Sequence, residues 1–405
     1  MDFELAPAYR ALQDEAAAVA AVVEPLAAEA DAMSTVHPGV RAALEGSRLW
    51  ELLVPAAHGG RHERIDPLAV AVVRETLMAT SCHLDSLFAL QGIGSYAITR
   101  GGSAAQRAAW LPRVVRGEAL AALGLTEPVA GSDLRDVATE LVPDGSGGLL
   151  LRGAKSFISN GGEAAFYTVL ARDGDGHSMV LVPAGLPGVV ATRSPEIIAP
   201  HVMAELTFDD VALEHDAILG ERGRGFDLVM ATLSVFRVSV AGASLGLAQA
   251  ALEEGVRHAA TRRQFGRPLA RQGAIADMLG DSWAELEAAR LLTYKAGTLA
   301  REDPAASLHW SSMAKLVASE TAGRIADRAV QMMGRWGLIQ GSKIERLYRQ
   351  ARPMRIYEGA SQVLKAGISR ALVEDVRARD AAAGRPAWSP PSFPGPAAAA
   401  AEERV

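Results

Sequence analysis

The stretch Leu123-Gly-Leu-Thr-Glu-Pro-Val-Ala-Gly-Ser-Asp133 decides the reading of this chain. After Leu125 neither a helical period nor strand alternation continues, which predicts a loop from Thr126 to Asp133. Glu127 before Pro128 favours extended backbone, and Gly131 removes the side chain that would keep a ligand away from the main chain. Thr126 and Ser132 add hydroxyls beside backbone amides. A phosphate or a flavin could meet such a surface, although the segment taken alone reads as a surface turn of Gly, Pro and Ser.

Around this loop the texture of the chain changes twice. From Pro7 to about Gly117 the pattern is helical and alanine-rich, broken at Pro38-Gly39, at Pro55 to Gly60 and at Gly101-Gly102. Between Ala122 and Gly220 come short apolar runs, Gly148–Arg152, Tyr167–Ala171, Met179–Val182 and Glu205–Phe208, bounded by Gly, Pro and Asp, which are strand signals. Helical texture returns at Phe226 over 226 to 260, 272 to 301 and 304 to 334, with apolar stripes suited to an antiparallel bundle. The expected organisation is therefore α+β: a helical domain over 1–121, a β-barrel-like domain over 122–225 and a four-helix bundle over 226–373. Residues 374–405, rich in proline and ending near five consecutive alanines, are expected to form a disordered tail.

Composition limits the function. A chain of 405 residues, 49% hydrophobic but only 5% aromatic, draws much of its apolar content from alanine and favours helices. A net charge of -6 and a pI near 5.9 provide no basic field for nucleic acid. Cys82 is the only cysteine, so an internal disulfide is excluded and a reducing compartment is expected. Met1-Asp-Phe-Glu-Leu5 lacks the basic region of a signal peptide, and Glu24, Pro25 and Glu29 interrupt the apolar run from Ala16 to Ala30. The expectation is a cytoplasmic protein without membrane insertion.

Four segments in order carry a family resemblance: Leu125-Thr-Glu-Pro-Val-Ala-Gly-Ser-Asp133, Lys155-Ser-Phe-Ile-Ser-Asn-Gly161, Arg262-Arg-Gln-Phe-Gly266 and Ile356-Tyr-Glu-Gly-Ala-Ser-Gln362. With this order and spacing, from about Phe3 to Val373, the chain resembles the acyl-CoA dehydrogenases. The resemblance implies an α-domain, a β-domain and a four-helix domain, assembled as a homotetramer or homodimer. It also implies FAD held between the β-domain and the last bundle, partly by a neighbouring subunit.

Oxidising a saturated acyl thioester to its trans-2-enoyl form needs a base for the α-proton and an acceptor for the β-hydride. No side chain accepts a hydride, so a flavin is required. A glutamate in an apolar pocket suits the base, and Glu358 is the candidate. Pro353 is expected to end the preceding helix, Gly359 to admit a ligand, and Ser361 to cap the next helix. Read alone, Glu358 would be an exposed acid pairing with Arg352 or Arg355. Some members place the base immediately before the arginine of the Arg-x-x-x-Ala-Gly segment, but that position here is Phe236, beside Arg237.

The resemblance carries over flavin contacts to Leu123, Leu125, Thr126, Gly131 and Ser132, and to Phe157, Ile158 and Ser159, with Phe157 standing where the family commonly has Trp. It assigns Arg262 and Phe265, from a neighbouring subunit, to the pyrophosphate and adenine end. Gln272 is taken in place of the usual Gln, which falls at Gly273, and Gln331, Gly334 and Arg335 stand for a Gln-x-x-Gly-Gly motif. Tyr357, Ala360 (usually Thr) and Gln362 complete the cofactor set. For substrate, the resemblance implies Ser132, Ser234 (where an acid is frequent), Arg237 and Gly359. Leu84, Leu87, Phe88 and Tyr96, within 81–100, are expected to narrow the acyl pocket.

Other motifs lose their functional reading in context. Gly242-Ala-Ser-Leu-Gly246 matches a nucleophile elbow but lies in a helical stretch with no strand before it, where small residues suit close helix packing. Gly220-Glu-Arg-Gly-Arg-Gly225 lacks dinucleotide spacing and reads as a turn. His58 and His62 are separated by Gly59-Gly60, which speaks against a metal site. The implied function is a flavin-dependent acyl-thioester dehydrogenase, on CoA or a carrier protein, passing electrons to electron-transfer flavoprotein or a similar acceptor. The competing readings are an oxidase or monooxygenase on the same fold and a flavin-free binding or scaffold homologue.

Overall fold

Alanine-rich amphipathic segments build the first third of the chain. The structure, a computed structural model, describes residues 4–385 and Trp388. Six helices come first: α1 (Pro7–Val23), α2 (Ala27–Ala30), α3 (Pro38–Glu45), α4 (Pro67–Thr80), α5 (Cys82–Gly101) and α6 (Ala104–Val115). Their starts follow local chemistry. Asp66 accepts from the amides of Leu68 and Ala69 at the head of α4, and Ser103 and Gln106 form a capping box at the head of α6.

Eight strands then form one sheet: β1 (Ala121–Gly124), β2 (Glu140–Pro143), β3 (Leu149–Ser159), β4 (Phe166–Asp173), β5 (Gly176–Pro183), β6 (Val189–Arg193), β7 (Met203–Leu213) and β8 (Ile218–Leu219). The order is β6-β7-β3-β2-β4-β5-β8, with β1 parallel to β4. One residue pair, Glu140 with Arg172, joins the two halves. Leu149, Leu151, Phe208 and Val211 of one half share a core with Tyr167, Val169, Val180 and Val182 of the other. This shared interior gives the domain its barrel-like character.

The last third holds α7 (Gly225–Thr261), the small hairpin β9 (Arg263–Gln264) and β10 (Arg267–Pro268), and helices α8 (Gly273–Glu302), α9 (Leu308–Met333), α10 (Lys343–Met354) and α11 (Ser361–Ala382). Helix α7 is long and apolar enough to cross a membrane, but 83% of its most apolar stretch is buried inside the chain. It is the central helix, packed by α4, α8 and α9, and it is apolar all round for that reason. Small residues set the packing distance, since a Cβ on Gly242 would lie 2.2 Å from the Ala71 carbonyl oxygen and one on Gly246 2.0 Å from that of Glu75. The turn at 220–225 seats Gly225 against Ser178 and Met179, where the β-domain meets the bundle. Helix α11 continues to Ala382, so 374–382 are helical where a tail was expected. Ala383 and Gly384 follow it as a turn, then Arg385, and the rest of that expectation, Trp388 apart, falls outside the described residues.

One buried ion pair fixes the opening loop to the sheet. In β3 the inward side chains include Leu149, Leu151 and then Lys155, and the Lys155 ammonium donates to Glu127 Oε1 at 2.7 Å and to the Leu125 carbonyl at 3.1 Å. The other Glu127 contacts come from the amides of Ala138 at 2.6 Å and Thr139 at 3.0 Å. Burial raises the Glu127 pKa, but the bonds from Lys155, Thr139 and Ala138 outweigh it and hold the carboxyl below its ordinary range. Gln91 on α5 ties the same region to the helices, donating to Val114 and Ala119 and accepting from the Ala121 amide.

Gly246→Ala should lower stability in urea unfolding by about 1–3 kcal/mol through overpacking against α4. Gly280→Ala in α8, where an added Cβ meets nothing within 4 Å, should raise it by up to about 1 kcal/mol. Lys155→Met should cost about 3–5 kcal/mol by stranding a buried carboxylate. Without its cation Glu127 would have a raised folded pKa, so the deficit should widen as pH rises from about 5 to 7. Lys155→Met combined with Glu127→Leu should recover part of the loss, and simple additivity of the two changes would refute the pairing.

Candidate active site

The loop after β1 closes on itself through Glu127 and Ala130, whose amides and carbonyls bond reciprocally at 2.8 and 3.3 Å. Glu127 and Ala130 turn inward, leaving Gly131, Ser132 and Asp133 exposed and Thr126 half-buried. A Cβ on Gly131 would meet only Thr126 Cγ2, at 4.0 Å. The Ser156 amide bonds the Thr126 carbonyl at 2.8 Å, bringing the loop alongside β3.

At that point β3 is irregular. Its pairing with β7 slips between Lys155 and Ile158, and Phe157 sits in the bulge with φ 56°. Glu205 on β7 holds it there, accepting from the Phe157 amide at 3.2 Å and from the Ser194 hydroxyl at 2.6 Å. The flip leaves the Phe157 ring 52% exposed beside the loop while Ile158 is buried in the sheet core. Ile158 thus faces away from any ligand, and the expectation of a side-chain contact from it is corrected. The Ser159 hydroxyl lies 2.9 Å from His201 Nε2, and Asn160, φ 60°, donates to the Ala121 carbonyl at 3.1 Å.

A second cluster surrounds Glu358, in the turn between α10 and α11. Glu358 has φ 52° and Gly359 φ 106°. Backbone in this region costs a non-glycine residue about 1–3 kcal/mol unless its surroundings impose it. Here they do, for Arg237 of α7 donates to the Glu358 carbonyl at 2.9 Å and Lys315 of α9 to the Gly359 carbonyl at 2.8 Å. Arg237 also reaches the Ser312 hydroxyl at 3.1 Å. The Glu358 carboxyl is not paired with Arg352 or Arg355, and Arg355 instead meets Glu320. Its Oε2 is buried without a hydrogen-bond partner.

Burial raises the Glu358 pKa, opposed by Arg74, Arg237 and Lys315, and nearby Asp85 raises it further. Burial likewise brings Lys315 down to about 8, against the pull of Glu358. Beneath the cluster Arg74 of α4 grips Asp85 of α5 at 2.8 and 2.6 Å and the Ser239 hydroxyl at 2.9 Å. Tyr357 neighbours this buried pair and Cys82 and remains 40% exposed.

The chain does not bring every expected residue to these two clusters. Leu123 and Leu125 pack against the apolar groups under the loop. Leu84 and Phe88 are fully enclosed, and Tyr96 meets Phe236 edge-on at 5.7 Å. With Leu87 they form core, so the expected pocket lining is corrected. Ser234 donates to the Pro304 carbonyl and its own carbonyl accepts from Ser311, so it faces the α8–α9 connection instead of a substrate. Ser361 bonds Glu320 at 2.6 Å and does not cap α11, while Ala360 precedes that helix and Gln362 is exposed on it.

Arg262 and Phe265 lie beyond the far end of α7, with Phe265 93% exposed. Val229, packed under the opening loop, stands 33 residues before Arg262, about 50 Å at 1.5 Å per residue. Gln272 bonds Arg267 and the Gln264 carbonyl within that hairpin, and Gln331, Gly334 and Arg335 are exposed at the C-terminal end of α9. These residues do not join the loop of their own chain. Among the described residues no group of His, Cys, Asp and Glu could hold a metal, and His62 is paired with Pro55 in a turn.

Reading by motif included Lys155 without giving it a role and missed Lys315, Arg74 and Asp85. Lys155 stood at an inward position of an alternating strand, and Lys315 on the stripe Ser311, Lys315, Ala318, Ala322. A charged residue on a buried stripe signals a partner.

Family profiles and solved structures match the fold. Profiles of the acyl-CoA dehydrogenase N-terminal, middle and C-terminal domains match residues 6–118, 122–211 and 223–373. The chain is 32% identical over 360 residues to cyclohexane-1-carbonyl-CoA dehydrogenase of Geobacter metallireducens, covering 87% of this chain and 94% of that one. It is 33% identical to the human mitochondrial short-chain specific acyl-CoA dehydrogenase, covering 87% of each. Butyryl-CoA dehydrogenase from Megasphaera elsdenii superposes with a TM-score of 0.87 at 30% identity, over 92% of this chain and all of that one. By its three matched domains and its relatives, the chain belongs to the acyl-CoA dehydrogenase family.

Proposed function

We propose that this chain is a FAD-dependent dehydrogenase that converts an acyl thioester to its trans-2-enoyl form, with Glu358 as the base for the α-proton. The observation that carries the reading is the Glu358 carboxyl itself. Its Oε2 is buried, lacks a hydrogen-bond partner and lies among three cations. Burial keeps the carboxyl basic, and Arg74, Arg237 and Lys315 keep the carboxylate accessible to titration. Positive φ at Glu358 and Gly359 shapes the turn, and Arg237 and Leu364 pack against Gly359, where an added Cβ would lie 3.0 Å from each.

The residues beside the opening loop fit FAD. Phe157 offers an exposed aromatic face, Thr126 and Ser159 offer hydroxyls, and Gly131 and Ser132 leave the backbone open to a phosphate or carrier end. Bound FAD supplies the two-electron acceptor for the β-hydride that no side chain provides. Arg262, Phe265, Gln272, Gln331, Gly334 and Arg335, remote within one chain, would serve the cofactor of a second copy in a homodimer or homotetramer. The physiological acceptor in this reading is electron-transfer flavoprotein or a similar carrier, and the compartment is cytoplasmic.

Anaerobic titration with a panel of acyl-CoA and acyl-carrier thioesters should bleach the flavin absorbance. Glu358→Gln should retain bound flavin and lose about 10²–10⁴-fold in the rate of bleaching. Unchanged turnover in that variant, a colourless protein, or rapid peroxide formation in air would each defeat the dehydrogenase reading.

The base must be ionised to act, so kcat/KM should rise with pH through a pKa above the ordinary 4.5 of a glutamate. Lys315→Met removes a cation that lowers this pKa, and the acid limb should move to higher pH. An unmoved limb would separate Lys315 from the base.

A further inference from the structure

We propose that His201 is a positioning residue that fixes the orientation of the Ser159 hydroxyl toward the FAD ring, an inference that rests on the placement of FAD proposed above. Ser159 closes β3 immediately after the bulge that exposes Phe157, and its Oγ lies 2.9 Å from His201 Nε2. A serine hydroxyl is a rotor with one proton, and a partner on one side decides which of its faces the other side meets. No motif in the chain pointed to His201, which lies 42 residues from Ser159 in sequence.

The connection between β6 and β7 that carries His201 is held at both flanks. The Asn160 amide bonds the Val202 carbonyl at 2.9 Å, and Arg349 of α10 donates to the Ile198 carbonyl at 2.9 Å. The imidazole is therefore presented by anchored backbone, as a positioning group must be. Burial, and then the neighbouring His83, bring His201 down to about 4, so the ring stays neutral across the working range. His83 is itself brought down to about 4 by burial and by His37, against the pull of Asp31. A neutral imidazole offers one donor and one acceptor, so an unprotonated Nε2 accepts the Ser159 proton and turns an oxygen lone pair to the other side, whereas a protonated Nε2 donates to Oγ and leaves the Ser159 proton for that side. On its other side His201 faces a cavity of about 120 Å³ lined in part by Ser34, Arg193, Glu196 and Pro200, so replacing the ring need not disturb a packed core.

The test is a double-mutant cycle on the holoprotein, read by the reduction potential and visible spectrum of the bound FAD and by the rate of FAD loss on dilution. Ser159→Ala should shift the potential and spectrum. His201→Leu should also shift them and should speed FAD loss about five-fold, the worth of a typical net hydrogen bond. In the Ser159→Ala background His201→Leu should add nothing, because its only route to the cofactor is gone. His201→Gln, which keeps a polar partner for the hydroxyl, should restore most of the original spectrum. If His201→Leu is silent while Ser159→Ala shifts the flavin, the positioning role is wrong and the FAD placement stands. Additive shifts would likewise overturn it, by showing that His201 acts on the flavin independently. If Ser159→Ala itself is silent, the placement of FAD beside Ser159 falls, and the role of His201 with it.

Discussion

The buried pair between Lys155 and Glu127 is the contact on which the candidate cofactor face depends. It joins two motifs 28 residues apart, one a loop without regular structure and one a bulged strand, and it does so under the surface they share. A loop of Thr, Pro, Gly and Ser has few apolar groups with which to hold a shape. Here its shape comes from one inward carboxylate that accepts from Lys155, Ala138 and Thr139. Such a pair adds little net stability compared with a well-packed apolar core, but losing either member leaves a charge with no partner. The pair therefore specifies the loop's position more than it stabilises the fold.

The same device recurs around Glu358. Lys155 donates to the Leu125 carbonyl, Arg237 to that of Glu358 and Lys315 to that of Gly359, so three buried cations hold the turns of the two candidate clusters by their main-chain oxygens. Holding a turn from behind leaves its front free, and that is why Glu358 Oε2 lacks a partner while its carbonyl has one. The left-handed conformations of Phe157 and Glu358 belong to this arrangement. Each is a residue that would otherwise avoid positive φ, and each is fixed by a charged group, Glu205 in one case and Arg237 in the other.

Elements whose pattern is local were legible in the sequence. The expected bundle helices at 226–260 and 272–301 are Gly225–Thr261 and Gly273–Glu302 in the structure, three expected strands fall within β4, β5 and β7, and the run Gly148–Arg152 overlaps the start of β3. What escaped depends on partners distant in the chain. Strand β1, Ala-Ala-Leu-Gly, has no alternation and exists because β4 runs parallel to it. Helix α11 continues past Glu374 among charged residues that carry no apolar stripe. At the site, motif resemblance picked out Glu358, Arg237 and the opening loop and included Lys155 without giving it a role, whereas Lys315 and Arg74, which also set the geometry, lie outside the quoted motifs. Ile158 and Ser234 show the opposite error, since membership of a motif does not say which way a side chain faces.

Helix α7 ties these observations together and sets a limit on one chain. Its first turns carry Val229 and Leu233, packed beneath the opening loop, and then Arg237, bonded to Glu358. Both clusters therefore answer to one rigid element, and glycines at 242 and 246 let α4 approach closely enough for Arg74 and Asp85 to lie beneath Tyr357 and Glu358. The other end of the helix carries the Arg262–Phe265 hairpin about 50 Å away. Because α7 is one continuous helix, largely buried and packed by α4, α8 and α9, that hairpin stays remote from its own loop. A ligand that met both Thr126 and Arg262 would have to take them from different copies of the chain, which makes the length of this helix a physical argument for a shared site.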